Sequence, residues 1–276
     1  MINVPGHFVQ NMSSWRTIAP IVWGRPGDPS IYGIIDVDIT KAVPYLERLE
    51  AQTGTKLTLT HLVIRAVALT FQKHPECNAY VRWGRIYQRR DVDLFVMVAT
   101  DTDSSKRAAD LTGVRLAKAD AQTLVGIAQE LRQRAGAVKS GRDSEIGPLK
   151  ALLRALPSPL AKLGLGISSA LQYGLNLDLS SFGIARDTYG GAIISSMGMF
   201  GIKYGFAPLV PAMRLSCLIG VGRAEERAVV VDGAVVVRTI LPLTATLDHR
   251  VIDGYHAGKL AATLSALLND PESHGL

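Results

Sequence analysis

Apolar and polar positions alternate from Ile31 to Ile39 in a stretch rich in Ile and Val, the pattern of a half-buried strand. Thr40 stands where it can cap a helix running to about Thr53, with Pro44 in the first turn, where proline is tolerated. Thr58 to His74 has the density of apolar residues of a buried helix. Val81 to Arg90 parses as a hairpin with Trp83-Gly84 near its turn and arginines on its exposed face. Asp91 to Thr100 sets Val92, Leu94, Val96 and Val98 on one face and Phe95 and Met97 on the other, as in a central strand. Leu111–Leu116 is another strand, and Ala119–Val138 a long amphipathic helix. Further strands are predicted at Ala192–Ser195, Leu215–Val221, Arg227–Val231 and Ala234–Leu247, the last two joined by the two-residue hairpin signal Asp232-Gly233. Tyr255 to Leu268 carries Leu260, Leu264, Leu267 and Leu268 at helical spacing. This mixed order of strands and helices predicts an α+β fold, a mixed sheet with a helical second layer.

Residues 144–183 do not fit that rhythm. Leu149, Leu152, Leu153, Leu156, Leu160, Leu163, Leu165, Ile167 and Leu171 are too many apolar residues for an exposed loop, and Pro157-Ser158-Pro159 divides them into two helices. Three roles compete: a cover for the core or a neighbouring subunit, a lid or acyl-chain pocket, and contact with a membrane surface through Lys150, Arg154 and Lys162.

The chain has 276 residues, 47% hydrophobic and 20% charged, enough to bury a core as one large domain or two small ones. The net charge of +6 favours anionic partners such as coenzyme A, nucleic acid or acidic proteins. The basic run at residues 81–90 could serve nucleic acid, but its hairpin pattern accounts for it better, and no nucleic-acid partner is expected. Cys77 and Cys217 show neither a disulfide framework nor metal-ligand spacing, so a reduced, cytoplasmic setting without metal is expected. The N-terminus lacks the pattern of a signal peptide, and no uninterrupted apolar run reaches the roughly 20 residues of a spanning helix. Gly220 and Gly222 do not form a dinucleotide fingerprint.

Chemistry concentrates at Asp248-His249-Arg250-Val251-Ile252-Asp253-Gly254, between a long strand and a helix. A histidine with one ring nitrogen pinned by a hydrogen bond can act as a base through the other near neutral pH. Asp253 stands with His249 and Ser195 among the candidate catalytic residues, but it is too close in sequence to be read automatically as the orienting carboxylate of a triad; buried, it could instead pair with an arginine and lock the turn. Gly254 would free the backbone to enter the helix. Taken alone, the pattern also suits an ordinary surface turn.

The same string resembles the catalytic core of the dihydrolipoamide acyltransferases of 2-oxo acid dehydrogenase complexes, within the chloramphenicol acetyltransferase-like superfamily. The block Gly190 to Ile202 is similar to the family's glycine-rich strand and loop, and Trp15-Arg16-Thr17-Ile18-Ala19 and Thr58 to Tyr80 match more loosely, in the family's order. The resemblance implies a single catalytic domain over residues 1–276, built as a two-layer mixed sheet with helices on one side. It makes His249 the general base for a thiol and Ser195 the hydroxyl donor to the oxyanion, with Ser196 a neighbour that stays open for that role. It places Ser196 and Gly198 at the acyl-coenzyme A site and pairs Asp253 with Arg16 in a structural salt bridge. It implies a homotrimer with the active site between subunits, so that the serine comes from a neighbour.

The chain departs from the family at Asp101–Asp110, which is polar where the family has a glycine turn leading to a proline-containing strand beside the substrate channel, and at 144–183, where the family's connection is shorter and polar. No lipoyl segment with its lysine is present, so the acceptor thiol is expected on a lipoyl or other acyl-carrier domain of another protein. The terminal tail offers only Leu276 for docking, which favours a trimer over a larger cage. Two other functions fit the residues: a non-catalytic trimeric scaffold, and an antibiotic-type O-acetyltransferase suggested by Asp253-Gly254-Tyr255-His256.

Overall fold

The structure, a computed structural model, describes residues 3–10, 28–99, 111–139, 157–182 and 186–276. Its elements follow the hydrophobic pattern closely. In chain order they are β1 (Gly6–Phe8), β2 (Ser30–Asp38), α1 (Ala42–Thr53), α2 (Leu59–Lys73), β3 (Ala79–Arg82), β4 (Arg85–Arg89), β5 (Leu94–Ala99) and β6 (Leu111–Leu116). There follow α3 (Leu124–Lys139), α4 (Ser158–Ser169), β7 (Ala192–Ser196), β8 (Cys217–Val221), β9 (Glu225–Val231), β10 (Ala234–Asp248) and α5 (Gly254–Asn269).

The main sheet runs β2-β10-β8-β7-β5-β6, with β9 paired to the first half of β10. It is mixed: β5, β7 and β8 are parallel neighbours and the remaining pairs are antiparallel. Strand alternation sorts its side chains. Leu94, Val96, Ala192, Ile194, Cys217, Ile219, Leu241 and Leu243 face the helices in the principal core, with Leu62, Phe71, Ile127 and Leu264 opposite. Phe95, Ile193, Leu215 and Leu218 form a smaller cluster on the other face. The α+β architecture, with helices to one side of a mixed sheet, is therefore as predicted. Asp232 and Gly233, at φ 51° and 82°, make the expected hairpin turn with both residues left-handed.

Three local readings need correction. Thr40 does not cap α1; Lys41 precedes the helix without a side-chain cap, and the Thr40 hydroxyl accepts the Thr239 N–H at 3.0 Å instead, tying the helix to β10. The helix predicted over 119–138 begins with a separate 3-10 turn, Ala119–Ala121, because the Thr123 hydroxyl accepts the Gly126 N–H at 3.1 Å and starts α3 afresh. The hairpin arginines are not all on an exposed face: Arg89 is buried, with its guanidinium on the Asp187 carboxylate at 3.0 Å.

Part of the 144–183 segment lies outside the described residues. What is described begins at Pro157 and folds as α4 followed by a single wide helical turn, Ala170–Gly174. That turn is bound to the body of the protein. Asn3 and Val4 bond to Gln172 and Asn176, the Trp83 indole and Arg82 both donate to the Gly174 carbonyl, and the Tyr173 hydroxyl meets Asp187 at 3.4 Å. Tyr173 packs with Val4 and Tyr80 in a third small cluster. The end of the segment thus covers the protein's own small sheet β1-β4-β3. Leu276 folds back beside its own α1, where the Tyr45 hydroxyl donates to its carbonyl.

Candidate functional site

His249 is the first residue after β10, and the turn that carries it is fixed from several sides. Its N–H donates to the Pro29 carbonyl at 2.8 Å, while the Asp248 N–H reaches Ser216 at 2.9 Å. The Val251 and Ile252 N–H groups close the turn onto the Asp248 carbonyl at 2.9 and 2.8 Å, and both side chains are buried. The lock is Asp248. Its carboxylate accepts the Arg250 N–H at 3.0 Å and grips the Arg250 guanidinium at 2.9 and 2.7 Å. A carboxylate–arginine pair does hold this turn, but through Asp248 and Arg250. The signal lay in plain view as two opposite charges flanking His249.

Asp253 anchors the following helix. Its carboxylate caps α5 by accepting the His256 N–H at 3.0 Å and lies 2.5 Å from Nδ1 of the same histidine. Arg16, its predicted partner, lies outside the described residues. Gly254 is the first residue of α5 and has no positive φ, so its extra conformational range is unused. Partial burial of Asp253 works against its charge, but the His256 backbone N–H and imidazole outweigh it and hold the carboxyl below the usual range. A depressed carboxyl pKa stabilises the fold at pH values above the unfolded value of about 3.9 and loses that contribution as pH falls through the folded value. Asp253→Asn is therefore expected to narrow the gap between melting temperatures measured at pH 7 and pH 3, and an unchanged gap would remove this role.

Ser195 and Ser196 end β7 and point to opposite faces. The Ser196 hydroxyl meets Thr60 of α2 at 3.3 Å, in the helical layer. Ser195 shares its face with Ile193, so it stands with the smaller cluster on the side away from the helices. The loop beyond is tightly seated. A Cβ on Gly198 would lie 2.5 Å from the Gly222 carbonyl oxygen, so only glycine lets these two backbones meet, and Gly198 serves packing whatever else it does.

Strand register shows how far the two halves of the predicted site lie apart. Ser195 is level with Gly220, and Gly220 with Thr244. The strand's last residue, Asp248, is four residues beyond Thr244, roughly 13 Å at about 3.3 Å per residue, and His249 lies further still. Within one chain, Ser195 and His249 do not share a site.

The sequence profile of the 2-oxoacid dehydrogenases acyltransferase catalytic domain matches residues 27–145 and 185–276, most of the chain. The chain belongs to this family. The match stops across 146–184, the span of the apolar insert. The dihydrolipoyllysine-residue acetyltransferase component of the pyruvate dehydrogenase complex of Rickettsia bellii is 25% identical over 249 residues, covering 88% of this chain and 48% of that protein. The chain thus spans about half the length of the curated relatives it matches. The Azotobacter vinelandii dihydrolipoamide acetyltransferase superposes with a TM-score of 0.67 at 20% identity, over 91% of this chain and 85% of that one. A chloramphenicol acetyltransferase superposes at 0.53 and 14% identity, over 96% and 100%, which places the fold in the same architecture. That family is one of acyltransferases. Among the described residues no helix is long and apolar enough to cross a membrane, and no group of three or more His, Cys, Asp or Glu is placed to hold a metal ion.

Proposed function

We propose that the chain is one catalytic unit, with 144–183 as its insert, that transfers an acyl group between coenzyme A and a thiol, using His249 of one protomer and Ser195 of its neighbour in a homotrimer. The observation that carries this is the separation of the two residues along the sheet, in a chain whose family profile covers both. Residues that one chain holds apart can meet only across an interface. In the Azotobacter vinelandii enzyme a serine, a histidine and an asparagine were investigated for their part in the catalytic mechanism, and its histidine and asparagine stand as far apart in sequence as His249 and Asp253.

In this mechanism the His249 imidazole takes the proton of the acceptor thiol, borne by a lipoyl or other acyl-carrier domain of another protein. The thiolate attacks the acyl-CoA carbonyl carbon, and the oxygen gains the charge that the Ser195 hydroxyl stabilises. Collapse expels the coenzyme A thiolate, which recovers the proton from the imidazolium. The apolar face around Ser195, built from Phe95, Ile193 and Leu218, would keep that region dry and strengthen the hydrogen bond. The test is transfer from acetyl-CoA to dihydrolipoamide by the purified protein. Ser195→Ala should lower kcat by about 10²–10³-fold with little change in KM, and Ser196→Ala much less. A larger loss at Ser196 than at Ser195 would reverse their assignment.

A further inference from the structure

A cleft of about 270 Å³ runs between the sheet and the helical layer, inward from the edge strand β2. Small residues form much of it. Gly33 of β2 pairs with Ala245 of β10 on the sheet side, and α5 contributes Ala257, Gly258 and Ala261. Neither glycine has a positive φ, and a Cβ on either would meet nothing within 4 Å. Neither backbone conformation nor close packing calls for glycine at these two positions, although glycine weakens both strands and helices. What the two glycines leave is open space.

The inner end is walled by Val67 and Phe71 of α2 and by Cys217, Ile219 and Leu243 of the sheet, all buried. The outer end reaches solvent at Ile34 and Gly258. No charged side chain lines the cleft among the described residues. Its two hydroxyls already donate elsewhere, Thr70 to the Ala66 carbonyl at 2.7 Å and Thr244 to that of Gly205 at 2.6 Å. Burial pushes the Cys217 thiol up, so it too stays neutral. An apolar cavity of this kind stays dry and takes apolar guests, and its volume exceeds the roughly 150 Å³ that holds benzene in an engineered cavity. A protein partner needs about 800 Å² of contact per side, far more than a cleft of this size offers.

We propose that this cleft binds the aliphatic chain of a small amphiphile. The tail lies inward among Val67, Phe71 and Leu243, and the polar head stays at the mouth beside Ile34 and Gly258. Leu247 and Ala257, which also line the cleft, stand on either side of the turn that carries His249. The inference does not rest on acyl transfer, and its test reads binding alone.

The full chain is titrated calorimetrically with octanol, with octanoate, and with the diol of the same length that bears a hydroxyl at each end. Octanol is expected to bind and to raise the melting temperature by mass action. The diol must carry a hydroxyl into the apolar end and should bind at least tenfold more weakly. Octanoate binding as well as octanol admits charged and neutral amphiphiles alike; octanol alone restricts the site to neutral ones. Gly33→Val and Ala261→Leu, each checked by circular dichroism and melting, place side chains in the cleft and should each weaken octanol at least tenfold. Gly33→Val is expected to melt no lower than wild type, because its added carbons enter open space. Ala261→Leu keeps the test available if it does. Ala262→Leu, on the exposed face of α5 and outside the cleft, should leave affinity unchanged. The proposal is overturned if octanol does not bind, if the diol binds as tightly, or if binding persists undiminished in both folded cleft variants. A change of assembly mass in those variants by light scattering would assign the cleft to a second copy of the chain, and overturn it equally.

Discussion

His249→Ala is expected to lower kcat for acyl transfer by about 10²–10⁴-fold, the usual contribution of a positioned general base. The turn should survive the change, because it is held by the Asp248–Arg250 pair, the buried Val251 and Ile252, and a His249 backbone bond that alanine keeps. Loss of activity with an unchanged melting temperature would therefore report chemistry rather than folding. The sharper result comes from mixing. His249→Ala and Ser195→Ala protomers, each nearly inactive alone, are unfolded together and reassembled. In a randomly mixed ring, a site that draws its histidine from one subunit and its serine from the next is intact about one time in four. Recovery to roughly a quarter of wild-type activity is the expected outcome. If reassembled mixtures stay at the level of the separate variants, the site is not shared, and the distance that separates the residues within one chain must be bridged some other way.

Why register decides this also explains what could be inferred from the amino-acid order. The long strand β10 was legible because Asp232-Gly233 starts it and its apolar alternation runs on to Asp248. His249 and Ser195 were each legible as chemistry. Their separation was not, since it follows from pairing β7 with β8 and β8 with β10, and pairing partners do not appear in local periodicity. The same limit hid Arg89. A guanidinium in a hairpin looks solvated until the strand is folded against Asp187, 98 positions away. Short-range competition was the other source of error. Thr123 and Asp248 each satisfy nearby N–H groups with their own side chains, so one interrupted a helix and the other holds the His249 turn from within, while the pairing of Asp253 with Arg16 falls outside the described residues. At Asp101–Asp110 and over residues 144–156 of the insert, the readings fall outside the described residues.

The second large effect is predicted for Asp187→Ala. Arg89 is buried to 3% exposure, and its guanidinium makes bonds to Asp187 at 3.0 and 3.4 Å, to the Ala79 carbonyl at 3.0 Å and to the Arg214 carbonyl at 3.1 Å. Burial works against the guanidinium charge, but the Asp187 carboxylate outweighs it and holds Arg89 protonated. Removing the carboxylate leaves a buried charge with only neutral partners, which typically costs about 3–5 kcal/mol. For a chain of this size that corresponds to a drop of about 10 °C in melting temperature. Asp187 also meets the Tyr173 hydroxyl, so the variant should loosen the insert from the hairpin and expose residues 157–182 to limited proteolysis before the core melts. Arg89→Met combined with Asp187→Leu removes both charges together and should recover part of the loss, because an apolar pair of similar volume avoids the desolvated ion. A double variant no more stable than Asp187→Ala would mean that the carbonyls of Ala79 and Arg214, deprived of their donor, carry the cost instead.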